Sequence, residues 1–433
     1  MNRKDIAIIG GGPAGLSLAK FLSNRDFAQV TVYEAKDTVG GKSESFYHGD
    51  AVVELGTCYA TLYDKTTKSW MKELNIKLIR NGTSNYDGAD FMDFVRKGDG
   101  EHFYLQALKF VAGGNNLRRR LATKSPTQET LAEAAMPILD WVRERGLFKM
   151  ERFLYRALTG MGYGFVHETP TVQAHRWCGF PLLLSGAINQ LHAPDIGWSE
   201  FWRRLAEPFD LDLGKPVVRI ERIAEKTIVS TEKGSKQFDH VINTIPMDVF
   251  VDILENPSEQ EILVAESVHW QSYATTLLAV ENWFDDIHTR GWSEGTSPGA
   301  AYGKLIAARK EAYEPDIGGQ LYVTGQLSKD LKKNELVEIL RDAIVKDGAN
   351  ITNIIEQRVW RYFPMYDKGA IEAGLLQTMR EMQGQNNTWY SGSTFAFEAV
   401  GPIVNFNEGL ADQIQTKLTS NSSSRRRAKK GRK

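Results

Sequence analysis

The stretch that decides the fold is Asp5-Ile-Ala-Ile-Ile-Gly-Gly-Gly-Pro-Ala-Gly15, near the start of the 433-residue chain. Its first half is a short apolar run, which is typical of a strand buried on both faces of a parallel sheet. Glycines 10, 12 and 15 then follow with the spacing Gly-x-Gly-x-x-Gly, and a helical pattern extends over 14–22. This order of strand, glycine-rich turn and helix predicts a Rossmann-type unit that binds a dinucleotide.

Each glycine of the turn has a separate physical role. Gly10 permits the tight turn, Gly12 leaves room for a diphosphate, and Gly15 lets the helix pack closely against the strand. The helix begins around Pro13 and Ala14, where free amides and the positive end of the helix dipole favour phosphate groups. The motif therefore predicts backbone recognition of a diphosphate.

The next segment distinguishes between dinucleotides. A second strand, predicted over 30–33, ends at Glu34, where an acid binds a ribose diol and repels a 2′-phosphate, which argues against NADP. The chain continues with Gly40-Gly41-Lys42. A second glycine pair followed by a cation is not needed for NAD, and it suits a longer cofactor that extends from the diphosphate toward a flavin ring. The sequence therefore favours FAD.

At this point the chain resembles the flavin amine oxidase and phytoene desaturase superfamily, in which a Gly-Gly-Arg or Gly-Gly-Lys element follows the Rossmann acid. Later segments match the superfamily in the same order. The resemblance places Glu54-Leu-Gly-Thr57 beside the flavin ring and a helix start at 197–205 beside the cofactor. It implies that the backbone of 217–220 holds the adenine and that 241–246 is the strand that returns the chain to the substrate domain. Tyr390-Ser-Gly392 matches the last strand and turn of the FAD-binding domain.

The motif and the resemblance together predict the cofactor site. Ser393 stands where the superfamily commonly places an acid on the ribityl chain, with Glu398 nearby, and a helix starting near Asn407 would aim its N-terminus at the flavin. The C-terminal region holds no cysteine, so the expected FAD is non-covalent. The predicted cofactor residues are Gly10, Gly12, Pro13, Ala14, Gly15, Glu34, Gly41, Lys42, Gly56, Thr57, Val218, Thr244, Gly392, Ser393 and Asn407.

Within the superfamily, the chain is most similar to the polyunsaturated fatty acid isomerase type. The resemblance lies in 39–43, 47–49, Gly162-Tyr163-Gly164, 360–364 and 382–384. It implies that the flavin takes a hydride from an allylic carbon and returns it at another, inside an apolar tunnel whose aromatic side chains stabilise a transient cation. The candidate catalytic residues are Tyr163, Trp198, Trp360, Tyr362 and Phe363.

The resemblance leaves the substrate open. The arginine that holds a fatty acid carboxylate in this type would fall within 90–96, where Arg96 is close but shifted. An amine, a terpenoid, a polyketide or another lipophilic molecule therefore stays possible. The reaction is either isomerisation or net oxidation. The rival hypotheses are a non-catalytic flavin-binding protein and a nicotinamide dehydrogenase.

We expect an α/β fold with a Rossmann-type FAD-binding domain, a mixed-sheet substrate domain and a helical cap. The FAD-binding domain is predicted over 1–75, 196–250 and 385–420, the substrate domain over 76–104 and 251–384, and the cap over 105–195. A continuous helix is predicted over 130–142. Residues 421–433 are predicted to form a disordered basic tail.

Composition narrows the function further. The formal net charge of −1 favours neither nucleic acid nor an anionic membrane as a partner. Two widely separated cysteines, Cys58 and Cys178, and the scattered histidines predict no disulfide framework and no metal site. The chain shows no signal-peptide pattern and no apolar run long enough to span a bilayer. We therefore expect a cytoplasmic enzyme that acts on a lipophilic small molecule.

Overall fold

The structure is a computed structural model that describes residues 3–80, 82–98, 100–188 and 190–430, with side chains up to residue 420. The described strands are β1 (Lys4–Ile9), β2 (Ala28–Tyr33), β3 (Ser45–His48), β4 (Ala51–Glu54), β5 (Leu78–Arg80), β6 (Ser84–Tyr86), β7 (Ala89–Asp90), β8 (His192–Pro194), β9 (Asp210–Asp212), β10 (Val217–Ile223), β11 (Lys226–Thr231), β12 (Gly234–Phe238), β13 (His240–Asn243), β14 (Val268–Glu281), β15 (Thr289–Gly291), β16 (Leu305–Glu314), β17 (Gly319–Leu327), β18 (Asn350–Tyr366) and β19 (Thr388–Tyr390).

The helices alternate with these strands along the chain. They are α1 (Pro13–Ser23), α2 (Lys65–Glu73), α3 (Phe91–Arg96), α4 (Phe103–Leu121), α5 (Gln128–Ala135), α6 (Ile138–Glu144), α7 (Phe148–Ala157), α8 (Thr171–Trp177), α9 (Phe180–Ala187), α10 (Trp198–Ala206), α11 (Met247–Asp252), α12 (Glu259–Glu266), α13 (Ser293–Thr296), α14 (Lys333–Lys346), α15 (Lys368–Glu372), α16 (Leu375–Glu381) and α17 (Val400–Lys430).

A parallel five-stranded sheet forms the Rossmann-type domain, in the order β19-β13-β1-β2-β9. The apolar run of β1 is central, with Ile6 and Ile8 fully buried, as expected for a strand covered on both faces. Helix α17 packs against α1, and Leu410 and Ile414 of α17 share one hydrophobic core with Leu18 of α1. The sheet therefore joins chain segments that are separated by more than 140 residues.

A second, seven-stranded sheet has the order β18-β14-β17-β16-β15-β6-β7. Its strands pair antiparallel except for β15 and β6, which are parallel, so the sheet is mixed. Helices α4, α6, α7 and α8 contribute to a separate core together with residues from β6 and β18. These features confirm the predicted α/β class with a Rossmann-type sheet, a mixed sheet and a helical cap.

Two of the predicted helices have different bounds. The continuous helix expected over 130–142 is wrong, because α5 ends at Ala135 and α6 begins at Ile138. Pro137 lies between them, and both Met136 and Pro137 have extended ψ angles, 140° and 137°. A proline restricts the residue before it to extended conformations, so the helix is interrupted there.

The C-terminal helix also differs from the prediction. Helix α17 begins at Val400, so the prediction of a helix start near Asn407 is wrong by about two turns. The backbone of the predicted disordered tail continues this helix to Lys430, since neither glycine nor proline interrupts 410–430. Residues 431–433 lie outside the described residues. Across the part of the chain that is described, we find no helix long and apolar enough to cross a bilayer.

Candidate active site

The glycine turn forms one end of a long cavity between the two sheets. Gly10 has a φ of +111°, which a residue without a side chain adopts freely. A Cβ on Gly15 would lie 1.9 Å from the carbonyl oxygen of Gly10, so this glycine lets α1 pack against the turn. The first hydrogen bond of α1 runs from the amide of Leu16 to the carbonyl of Gly12. The amides of Ala14 and Gly15 precede it and have no acceptor within the helix.

The two glycine elements approach each other closely at the cavity wall, with no side chain between them. A Cβ on Gly12 would lie 3.6 Å from the Cα of Gly41, and one on Gly41 would lie 3.0 Å from the Cα of Gly12. Glu34 borders the same cavity, and its carboxylate accepts hydrogen bonds from the amides of Gly11 at 2.7 Å and Lys36 at 2.9 Å. Bare backbone beside a helix N-terminus, with a fixed acid next to it, fits a diphosphate followed by a ribose.

An ion pair lies further along the cavity. The ammonium of Lys42 donates to both carboxylate oxygens of Glu398 at 2.9 Å and to the carbonyl of Tyr362 at 3.0 Å. It also lies 5.1 Å from the centre of the Trp270 ring. Burial raises the pKa of Glu398, and the charge of Lys42 opposes this shift. Glu398, the acid that lies five positions after Ser393 in the sequence, therefore neutralises the charge of Lys42.

A second buried carboxyl borders the middle of the cavity. Glu54 accepts hydrogen bonds from the amide of Trp198 and the hydroxyl of Ser45, both at 2.8 Å. Burial raises its pKa to about 8, and these hydrogen bonds oppose that shift. Its carbonyl accepts a bond from Arg309 at 2.6 Å, and Arg309 is itself paired with Glu311. In this part of the cavity, the carboxyl of Glu54 therefore favours its neutral form, and the charge of Arg309 is neutralised by Glu311.

The far end of the cavity is aromatic. The rings of Tyr163 and Tyr362 stack with centroids 5.5 Å apart and an angle of 6° between their planes. Trp177 meets Tyr163 edge to face at 6.0 Å, and Tyr59 and Tyr273 also line this end. Burial raises the pKa of every one of these phenols, that of Tyr59 to about 12. The phenols are therefore neutral at physiological pH and present apolar faces.

One cation in this aromatic part of the cavity has no counter-ion among the residues that the structure describes. Arg156, on α7, lines the cavity, and its guanidinium donates to the carbonyl of Gly160 at 3.4 Å. Among the described residues, no carboxylate lies within ion-pair distance of it, whereas Arg309 in the same cavity is paired with Glu311. A guanidinium beside aromatic walls binds a carboxylate in a bidentate manner.

The structure brings most of the predicted site residues to this one cavity. Those that line it are Gly10, Gly12, Pro13, Ala14, Glu34, Gly41, Lys42, Gly56, Thr57, Tyr163, Thr244, Tyr362, Gly392 and Ser393. Gly15 supports the turn from behind, as described above. Whether these residues contact a cofactor or substrate stays a prediction.

Other predicted residues lie elsewhere. The ring of Trp198 is fully buried beside Phe201 and Trp202, and it is not part of the cavity lining. Trp360 donates to Thr275, which lines the cavity in its place. Phe363 packs behind Tyr163 at 5.6 Å.

Three further candidates are also displaced from the cavity lining. Val218 is 48% exposed at an irregularity of β10. Asn407 is buried within α17, where it donates to the carbonyl of Ala14 at 2.8 Å and accepts a bond from Ser391. Arg96 is exposed on α3 and bonds Tyr104 at 3.0 Å. Asn407 therefore joins the last strand turn to α1, and Arg96 cannot hold a substrate in this cavity.

Sequence reasoning missed several residues of the cavity. Arg156 comes from α7 and Arg309 from β16, in stretches that carry no motif. Cys58 and Tyr59 also line the cavity, and they directly follow the predicted segment 54–57. Continuation of that segment was the one signal that could have indicated them.

Known proteins share both the sequence pattern and the fold. The sequence model of the family described as flavin containing amine oxidoreductase matches residues 13–364. The polyenoic fatty acid isomerase of Ptilota filicina is 22% identical, and the match spans 94% of each chain. Polyamine oxidase 5 of Oryza sativa subsp. japonica is 23% identical over 56% of this chain. The match covers 51% of that protein, about half of its length.

Solved structures extend the similarity in fold. The fatty acid isomerase from P. acnes that produces CLA has a TM-score of 0.79 at 22% identity, covering 95% of this chain and 98% of its own. A putrescine oxidase bound to putrescine has a TM-score of 0.68 at 16% identity, with 96% and 99% covered. At these identities the structural likeness indicates a shared fold, whereas the family model covers most of the sequence. This protein belongs to the flavin containing amine oxidoreductase family, as a flavin-dependent oxidoreductase or isomerase.

Proposed function

We propose that this protein binds FAD non-covalently and isomerises a double bond in a lipophilic carboxylate, with an unsaturated fatty acid as the favoured substrate. The observation that carries the proposal is Arg156, a cation without a carboxylate partner among the described residues, at the wall of an aromatic chamber. The full-length similarity to a polyenoic fatty acid isomerase supports the same substrate class.

The cavity suits FAD because its two ends differ in chemistry. At one end, Gly12 and Gly41 leave a bare backbone groove for the diphosphate, and Glu34 is placed for the ribose. The groove continues past Lys42 and Gly56 into the aromatic chamber, which gives an isoalloxazine ring a place beyond the diphosphate. We propose the predicted cofactor residues that line this groove as the FAD contacts.

The residues of the chamber favour hydride transfer over base-catalysed proton abstraction. Bound FAD would supply the acceptor for a hydride from an allylic carbon, and the same hydride would return at another carbon, so that the double bond shifts without net oxidation. Tyr163, Tyr362 and Tyr273 have raised pKa values and no charge to remove a proton. Their role is to exclude water and to place aromatic faces beside a transient cation.

The charges of the chamber disfavour an amine substrate. A protonated amine needs a free carboxylate, but Glu398 is paired with Lys42 and Glu311 with Arg309. The raised pKa of Glu54 favours its neutral form. Arg156, which has no carboxylate partner among the described residues, would repel an ammonium and attract a carboxylate. A carboxylated lipid therefore fits this site better than a polyamine does.

Anaerobic incubation with linoleate tests both the reaction and its type. We expect a purified yellow protein to form a conjugated product, seen by ultraviolet absorbance and chromatography, while the flavin absorbance recovers fully after each turnover. Persistent bleaching with one product per flavin would instead indicate net oxidation. If linoleate, other polyunsaturated acids and amines all leave both spectrum and substrate unchanged, the catalytic proposal is refuted in favour of a flavin-binding protein.

Substitution of the free arginine tests the substrate class. Arg156→Gln should lower kcat/KM for linoleate by about 10- to 100-fold, because a charge-assisted hydrogen bond is worth about 1.5–3 kcal/mol. The effect on linoleyl alcohol should be small. Arg96→Gln, at the exposed arginine of α3, is the matched control and should behave like the wild type. Equal losses on the acid and the alcohol would contradict a carboxylate role for Arg156.

A further inference from the structure

We propose that a second cavity binds a long-chain carboxylate by its anionic head and apolar tail. It is distinct from the cavity in which we place FAD, which is called the flavin cavity below. The inference rests on the lining of this second cavity and does not depend on the reaction at the flavin. The cavity lies between the helical cap and the C-terminal helix, with lining residues from α4, α8, α9, α16 and α17. Its volume of about 960 Å³ lies at the upper end of the range of small-molecule sites.

The charged residues at its surface are all cations. Arg118, Arg176 and Arg380 line the cavity, and none of the aspartates or glutamates that the structure describes does. None of the three forms an ion pair with a carboxylate of the described residues, and the side chain of Arg118 has no hydrogen bond among them. Burial and the nearby charge of Arg176 lower the pKa of Arg380. Guanidinium groups gathered without a counter-ion attract an anion.

A buried polar atom also lacks a partner at this cavity. The side chain of His175 lines it at 5% exposure, and the Nε2 atom has no hydrogen bond. The ring packs against Phe110 at 4.3 Å and Trp141 at 4.8 Å. An unsatisfied buried nitrogen is unfavourable, and a ligand oxygen would supply the missing partner.

The rest of the lining selects an amphiphile over a small anion. Apolar side chains from three helices and one loop line the cavity, namely Val111, Leu376, Met379, Phe395 and Phe406. Phe180 at the start of α9 is also part of the lining and is 56% exposed. An inorganic anion would use only the arginines, whereas an acyl chain would also cover this apolar surface.

A thin aromatic wall divides this cavity from the flavin cavity. Tyr63 lines the second cavity, and its ring stacks at 5.8 Å on that of Trp177, which lines the flavin cavity. The neighbouring residue Arg176 faces the second cavity. A carboxylate bound there would therefore lie directly behind the aromatic chamber.

Calorimetric titration of the holoenzyme with oleate, below its micelle threshold, tests the proposal. The double variant Arg118→Gln/Arg380→Gln should bind oleate at this site at least about tenfold more weakly, because two charge-assisted contacts are lost. Arg119→Gln, a neighbouring exposed arginine of α4 outside the lining, is the matched control and should bind as the wild type does. Unchanged melting temperatures would show that the variants fold.

Comparison ligands separate the contributions of head and tail. Oleyl alcohol should bind this site weakly, and acetate should not displace oleate at equal concentration. Wild-type affinity of the double variant, equal binding of oleyl alcohol, or displacement by acetate would each overturn the proposal. If the flavin cavity binds no carboxylate, one oleate should still bind at the second cavity, and this binding should depend on its arginines. Failure of the proposed function can therefore be distinguished from failure of this second site.

Discussion

Replacement of Gly12 by alanine should weaken flavin binding at least about tenfold while leaving the fold intact. A Cβ at this position would meet only the Cα of Gly41, at 3.6 Å, which is an ordinary van der Waals contact. The backbone of Gly12 has a φ of −80° and a ψ of −177°, which alanine adopts without strain. The new methyl group would instead occupy the bare groove in which we place the diphosphate.

This geometry determines how much each glycine substitution should change the stability of the apoprotein. Alanine is a poorer N-cap than glycine by roughly 0.5–1 kcal/mol, and the reduced entropy of the unfolded chain offsets much of this cost. The apoprotein of Gly12→Ala should therefore unfold within about 1 kcal/mol of the wild type. Gly15→Ala offers a contrast, because its Cβ would lie 1.9 Å from the carbonyl of Gly10. Relief of that clash requires backbone movement and should lower both stability and binding.

Fluorescence titration of apoprotein with FAD, alongside urea unfolding, provides the assay. We expect Gly12→Ala to weaken FAD binding at least about tenfold with a wild-type unfolding curve. Gly186→Ala on α9, where a Cβ meets nothing within 4 Å, is the control and should bind FAD normally. Wild-type FAD affinity in Gly12→Ala would refute the placement of the diphosphate at this turn.

Three other predictions follow from the site. Burial raises the pKa of Glu54 to about 8 from an ordinary value of 4.5, so this carboxyl contributes stability that is complete below pH 4.5 and lost as the pH rises through 8. The free energy of unfolding of the wild-type apoprotein, measured in urea, should therefore fall by a few kcal/mol between pH 5 and 8. That of Glu54→Gln should fall less over the same range. Asn407→Leu should destabilise the protein by about 1–3 kcal/mol in urea, since the buried hydroxyl of Ser391 loses the acceptor to which it donates. Tyr163→Phe should keep turnover within about threefold of the wild type and Tyr163→Leu should not, because the neutral ring stabilises charge by its face; a large loss in the phenylalanine variant would contradict this role.

The dinucleotide unit was readable from sequence because its decisive contacts are local. The amide of Gly10 donates to the carbonyl of Tyr33 at 2.8 Å, and that of Gly40 donates to the carbonyl of Gly11 at 2.9 Å. All these contacts fall within the first 40 residues, so apolar pattern, glycine spacing and chain order specify them together. The break at Pro137 was equally local, and greater weight on that proline would have corrected the predicted helix.

The aromatic candidates show where local pattern stops being informative. Trp360, Tyr362 and Phe363 are close neighbours in β18, yet Tyr362 alone among them lines the cavity. Trp198 is as apolar as any of them, but it is enclosed in a different core. Where both faces of an element are covered, hydrophobicity does not reveal which face meets a cavity and which meets the core.

The sequence by itself determined the Rossmann-type unit and indicated the flavin family. Only the tertiary structure decided which charges are free. Lys42 with Glu398 and Arg309 with Glu311 are paired, whereas Arg156 has no carboxylate partner among the described residues. The physical reason is that the strength of a charge depends on burial and on the nearest opposite charge. Lys42 and Glu398 are 356 positions apart in the chain, and only folding brings them within 3 Å.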